Sequence, residues 1–213
     1  MISSVSSGVS LDDWYNKYFG EFGVVVHNAV KKLCKGFSEY PLDVSSLYYS
    51  PETMGAGNLW NVEPDNKSSA MVSYAFDDYK FWCGAYGYDV YVNQLKKLLK
   101  GFKQGINALT KIENPSDKVK EVLLYAKVCH NHFEASLLHT QYSYLKTDIL
   151  ANKAEILKVV KAGIKNADEM IGLQEQDSRI AYEASNHYFY IKSNLVEKVI
   201  NLKRIYKEIK KMK

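Results

Sequence analysis

The sequence predicts an all-α fold, a bundle of about five helices with one long aromatic-rich loop over about residues 38–87. Three observations carry this. Helix-start boxes occur at Ser10–Asp13, Asn114–Asp117, Asn152–Glu155 and Asn194–Glu197, each a polar residue with an acid three positions on. There a side-chain oxygen can accept from an orphan backbone N–H, and the acid suits the positive end of the helix. Apolar residues then recur in steps of three and four after each box, the period of a half-buried helix. Finally, the connections near 113 and 151 are short, which favours antiparallel neighbours.

In chain order, the opening helix carries Trp14, Tyr18, Phe22, Val25, Val26, Ala29, Val30 and Leu33. Tyr91, Leu95, Leu98, Leu99, Phe102, Ile106, Leu109 and Ile112 mark a helix from about 88 to 112. The next box combines Asn114 with Pro115, a residue suited to the first helical turn. Val119, Val122, Leu123, Ala126, Phe133 and Leu137 follow, in a helix running to about 150. Ile156, Val160, Ile164, Ala167 and Ile171 form the fourth stripe. Leu195, Val199, Leu202, Tyr206 and Ile209 form the last, alternating four and three like a short heptad seam.

The exception is the segment 38–87, with Tyr40-Pro41, Ser50-Pro51, Gly55-Ala-Gly57 and Pro64 and no sustained helical period. It is far longer than bundle connections normally are, and such loops on rigid scaffolds tend to carry function. Its Tyr, Trp and Phe content argues that it folds onto the bundle, with one short helix around 68–82. A second aromatic break covers 182–190. Residues 1–9 are expected to be a flexible, Ser-rich arm, and 10–213 a single helical domain.

The 213 residues are 46% apolar and 24% charged, an ordinary globular balance that excludes disorder throughout. Net charge is +4, unevenly placed. From 192 to 213 eight Lys/Arg face two Asp/Glu, a balance of +6, whereas the first 191 residues total −2. Basic character confined to one terminal helix reads as a solvated face rather than the stripe of a nucleic-acid module. Cys34, Cys83 and Cys129 form no C-x-x-C pair, which fits free thiols in a reducing compartment. The N-terminus lacks a basic and an apolar region, so no signal peptide is expected, and no apolar run approaches membrane-spanning length. The expected location is cytoplasmic, with no membrane and no nucleic-acid partner. Seventeen tyrosines, concentrated at 40–91 and 182–190, suit half-wet surfaces at an interface or pocket wall.

Candidate chemistry is sparse. His130 and Glu134 stand one helical turn apart, but His132 points about 160° away, so three metal ligands do not converge. No metal and no cofactor is expected. Asp77-Asp78 offers carboxylates, yet adjacent carboxylates point apart and are not a glycosidase pair. Trp60 and Trp82 flank that stretch, and aromatic platforms beside carboxylates are a common way to hold sugars. Arg179, Glu183, Asn186 and His187 form a polar-aromatic stretch before the last helix. No nucleophile triad, P-loop or G-x-G-x-x-G is present, so no catalytic residue is expected.

Two long stretches carry a resemblance. One is Tyr40-Pro-Leu-Asp-Val-Ser-Ser-Leu-Tyr-Tyr-Ser-Pro51, continuing through Gly55-Ala-Gly-Asn-Leu59 and Asp77-Asp78. The other is Asp177-Ser-Arg-Ile-Ala-Tyr-Glu-Ala-Ser-Asn-His-Tyr-Phe-Tyr190, followed by Leu195-Val-Glu-Lys-Val-Ile-Asn201. Both resemble the C-terminal helical region of large bacterial proteins that look like glycoside hydrolases with an upstream catalytic barrel. The resemblance implies a non-catalytic helical module, a carbohydrate or an upstream catalytic domain as partner, and a glycoside hydrolase as parent. Met1 would then mark a split gene, a truncated gene or a fragment. The barrel's catalytic residues have no counterpart here. The expected ligand-facing set is Tyr48, Tyr49, Asn58, Trp60, Asp77, Asp78, Trp82, Arg179, Glu183, Asn186 and His187, completing a sugar site or docking on the barrel. The alternative is a helical protein-interaction or dimerisation module, possible as a homodimer, with no ligand of its own.

Overall fold

The computed structural model describes residues 8–63, 78–180 and 191–213. The arm up to residue 7, Asp77, Glu183, Asn186, His187 and the break at 182–190 lie outside the described residues. Among those described the chain is all-helical, with no strands and five helices of substantial length. In order they are α1 (Leu11–Phe19), α2 (Gly23–Phe37), α3 (Val44–Tyr49), α4 (Tyr79–Trp82), α5 (Gly87–Thr110), α6 (Asp117–Leu145), α7 (Lys153–Gln174) and α8 (Lys192–Lys211). Two compact units result, Met1–Tyr40 with Lys97–His130, and Pro41–Lys96 with Asn131–Lys213. By residue range, α5 and α6 contribute to both.

The first unit opens on the Ser10 cap, whose hydroxyl accepts from Asp13 N at 3.1 Å. The sequence predicts one opening helix, but the structure divides it into α1 and α2. Gly20 takes φ 61 and ψ −135, which only glycine adopts without strain, and a 3-10 turn at Gly20–Phe22 restarts the chain. The apolar stripe continues across the break. Tyr15, Phe19, Val26, Ala29, Leu109 and Val119 form the core. Glycines let α2 and α5 approach closely: a Cβ on Gly101 would lie 2.4 Å from the Gly36 Cα.

The second unit is organised by α7 and α8, an antiparallel pair. Lys153 near the start of α7 donates to the Met212 carbonyl just past α8, and Gly163 lies against Leu202. Trp60, Leu138, Tyr142, Ile156, Val160, Leu202, Ile205 and Ile209 fill its core. Gly163 makes room for the indole, since a Cβ there would sit 2.9 Å from Trp60 Cη2. The described parts of the 38–87 segment, 38–63 and 78–87, are a string of short helices and turns. Alongside α3 and α4 it holds 3-10 turns at Pro51–Thr53, Gly55–Gly57 and Gly84–Tyr86. Local side chains build these turns. Asp43 accepts from Ser45 N at 2.8 Å, and Ser46 Oγ accepts from Asp43 N at 3.0 Å while donating to the Pro41 carbonyl at 2.6 Å.

Candidate functional site

The most unusual chemistry lies in the second unit, where the 55–62 segment meets α6 and α8. Asn201 on α8 clasps the Trp60 backbone: its Oδ1 accepts from Trp60 N at 3.1 Å, and its Nδ2 donates to Trp60 O at 3.0 Å. A loop peptide, which has no helical partner, thereby satisfies both its polar groups. One turn before Asn201, Lys198 is 3% exposed. Its Nζ donates to the Asn58 carbonyl and lies 4.3 Å from the Trp60 ring centroid. Burial pushes the Lys198 pKa well below that of an ordinary lysine. The face of an indole attracts a cation; no described carboxylate shares in holding it.

His139 and Tyr142 on α6 stack on the Trp60 ring at 5.3 and 4.6 Å between centroids. Burial, then the charges of Lys198 and Lys146, push the His139 pKa well below the usual histidine value. Its Nδ1 is buried without a hydrogen-bond partner. Tyr142 OH and Lys146 Nζ both donate to the Asn61 carbonyl, at 3.0 and 2.8 Å. Trp82 Nε1 donates to Thr140 Oγ1 at 3.2 Å. The Asn58–Asn61 backbone is thus held by donors from two helices. A lysine with a depressed pKa is chemically a base or nucleophile, but its burial reserves this one for the loop.

A second knot lies beside it. Asn131 and Asn166 donate to each other's backbone carbonyls at 2.9 and 3.0 Å, and Asn166 also donates to Glu134 at 3.1 Å. His132 Nε2 is 3.4 Å from the carboxylate of Glu52. Glu134 and His132 are therefore engaged with different elements. Among the described residues no three His, Cys, Asp or Glu side chains are grouped to hold a metal.

The expected ligand-facing residues scatter. Trp60 is 2% exposed and Trp82 is fully buried. Both rings lie in the interior. Asn58 is buried as well, with Nδ2 donating to the Pro51 carbonyl at 2.7 Å. Asp78 is the N-cap of α4, accepting from Lys80 N at 3.0 Å. Arg179 pairs with Asp177, at 2.6 Å. Tyr48 is 45% exposed, and Tyr49 sets its ring edge-on to Phe81 at 5.1 Å. The structure brings Asn58 and Trp60 together, and Tyr49 with Phe81.

Sequence reasoning missed Lys198, His139 and Asn201. The signal for Lys198 was its place in the buried register Leu195, Leu202, Ile205, Ile209, where a charge is out of keeping. The tyrosine-rich 40–91 stretch does supply an aromatic cluster, which Tyr144 of α6 completes without having been singled out in the sequence. Tyr88 and Tyr144 stack at 3.9 Å, and Tyr79 meets each edge-on. Burial first, then neighbouring Tyr144, raises the Tyr88 pKa to about 12. Leu42, Val44, Leu47, Tyr48, Phe81 and Tyr144 are exposed around α3 and α4. In the first unit an open groove of about 840 Å³ runs past Phe22, Val25, Lys32, Gln104, Ala108 and Ile112.

No described helix is long and apolar enough to cross a membrane. No protein-family model matches the chain, and no curated protein and no solved structure matches it.

Proposed function

We propose that this chain is a non-catalytic helical module that works by docking through the aromatic and aliphatic surface around α3 and α4. The observation that carries the reading is the division of its aromatics. Trp60 and Trp82, the best sugar platforms, are interior, whereas Tyr48, Phe81 and Tyr144 stand exposed with Leu42, Val44 and Leu47. Amphipathic rings with aliphatic neighbours are the composition of a protein interface. The partner that the resemblance implies is the catalytic barrel of a glycoside-hydrolase-like protein. The Gly55–Leu59 and Leu195–Asn201 pieces of that resemblance meet where Lys198 donates to the Asn58 carbonyl.

The test is site-specific photo-crosslinking from positions 48 and 81 in the native cell. Crosslinks to a barrel-bearing glycoside hydrolase, lost on Tyr48→Ser with Phe81→Ser in a folded protein, are expected. Crosslinks only between copies of this chain would replace the reading by dimerisation. Saturable thermal stabilisation by one sugar class, abolished by Tyr48→Ala and Asp78→Ala, would replace it by carbohydrate binding, a reading supported by the exposed ring of Tyr48 among the described residues of the expected set.

A further inference from the structure

We infer that the outer face of α8 is a peripheral docking surface for an anionic lipid bilayer. At 100° per residue, the buried positions of α8, Leu195, Lys198, Val199, Leu202, Ile205 and Ile209, span one side. The opposite arc, roughly 120° wide, carries Lys192, Lys203, Arg204, Lys207, Lys210 and Lys211. The two acids of the helix, Glu197 and Glu208, lie together beyond one margin of that arc. The other margin borders α7, where Lys161 Nζ stands 5.4 Å from the Tyr206 ring and adds a further cation.

Lys203, Lys207, Lys210 and Lys211 have no acidic partner among the described residues; Lys192 pairs with Glu175, and Arg204 lies 3.9 Å from Glu208. Cations held on one rigid face with their counter-charges displaced to its edge are complementary to an extended anionic surface.

Two aliphatic side chains select the bilayer over other polyanions. Val196 is 42% and Ile200 63% exposed, one turn apart within the lysine arc. A headgroup layer can bury such side chains while lysines keep their ammonium groups among the phosphates. A nucleic acid offers them no apolar phase, and the arc lacks the aromatic rings that stack on bases. Here α8 lies on the membrane rather than spanning it, since its other side is the core of the second unit.

The experiment is co-sedimentation of the full chain with phosphatidylcholine vesicles, with and without 30% phosphatidylserine. Binding only to the anionic vesicles, released by raised salt, is expected. Lys203→Gln with Lys207→Gln should weaken it about 30-fold, and Ile200→Ser about threefold or more at constant salt. Lys96→Gln, on α5, should leave it unchanged, with circular dichroism showing that every variant is folded. The inference is overturned by no binding to anionic vesicles, by an Ile200→Ser effect of zero, or by tighter, Ile200-independent binding to a 20-mer RNA.

Discussion

Replacing Lys198 by methionine isolates the energetics of the buried knot. The substitution keeps the volume and the flexible stem, so packing against Trp60 changes little. Two effects oppose each other. The Asn58 carbonyl loses its donor, at a cost of about 1–3 kcal/mol for a buried acceptor. Against this, the desolvation of a buried lysine, which opposes its protonated form, is removed. The second effect depends on pH and the first does not. Because burial lowers the folded-state pKa, the unfolded chain holds the Lys198 proton over a window where the folded chain does not. Wild-type stability therefore rises with pH through that window, by about 1.4 kcal/mol per pH unit, and the rise is complete at the unfolded lysine value. The methionine variant should be at least as stable as wild type at pH 7 and should lose its advantage progressively as pH rises. Urea melts in steps from pH 7 to the unfolded lysine value, about 10.4, give the difference directly. Other alkaline titrations, such as the Cys83 thiol raised to about 12, act on both proteins and cancel. A pH-independent difference, or a variant less stable by more than about 3 kcal/mol at pH 7, would refute the account of a lysine kept there against its own desolvation.

Four further outcomes follow from the same geometry. Below pH 6.5 the unfolded chain takes up a proton at His139 that the folded chain resists. Stability should fall as pH drops from 6.5, by about 1.4 kcal/mol per unit, and His139→Phe should flatten that part of the profile in chemical melts. Trp60→Ala should cost about 3–5 kcal/mol in the same assay; a loss under 1 kcal/mol would mean that the indole is not the keystone of the second unit. Gly101→Ala sets a methyl 2.4 Å from the Gly36 Cα. It should lower stability by about 1–3 kcal/mol, whereas Gly172→Ala, with open space around it, should not. Iodoacetamide at pH 8 should label exposed Cys34 quickly and spare Cys83, which is buried with its pKa raised to about 12; equal labelling would place Cys83 at the surface.

The helical class was legible because burial repeats with the helical period. Leu195, Leu202, Ile205 and Ile209 are all interior, as their spacing requires. Helix starts were less legible, because the box pattern does not specify its register. At Ser10 the cap is as read. Asn114 instead takes φ 48, and α6 begins at Asp117 with Ser116 O accepting from Lys120 N. Asn152 precedes α7 but spends its amide on the Leu145 carbonyl. Asn194 lies inside α8 and accepts from Ile191 N. The same residue types serve each role, and backbone angles decide which one they play. The Gly20 break was hidden because a single 3-10 turn leaves the apolar stripe nearly in phase.

The site resisted sequence reading for a different reason. An aromatic residue in a long loop looks the same whether its ring meets solvent or a helix 140 positions away. Trp60 became core because Asn201 satisfies its peptide, Gly163 leaves space for its ring, and His139 and Tyr142 supply stacking faces. Each condition belongs to a different helix, and none is visible from residues 55–62. Lys198 completes the logic. A helix interior has no backbone donor to spare for a neighbouring loop, so a carbonyl buried against α8 must receive one from a side chain. Asn201 reaches Trp60; the Asn58 carbonyl takes its donor from the longer lysine. The lysine is thus best understood as an adaptor between a helix and an irregular segment. Its desolvation cost is tolerated because the alternative, an unpaired carbonyl in the core, carries a comparable penalty at every pH.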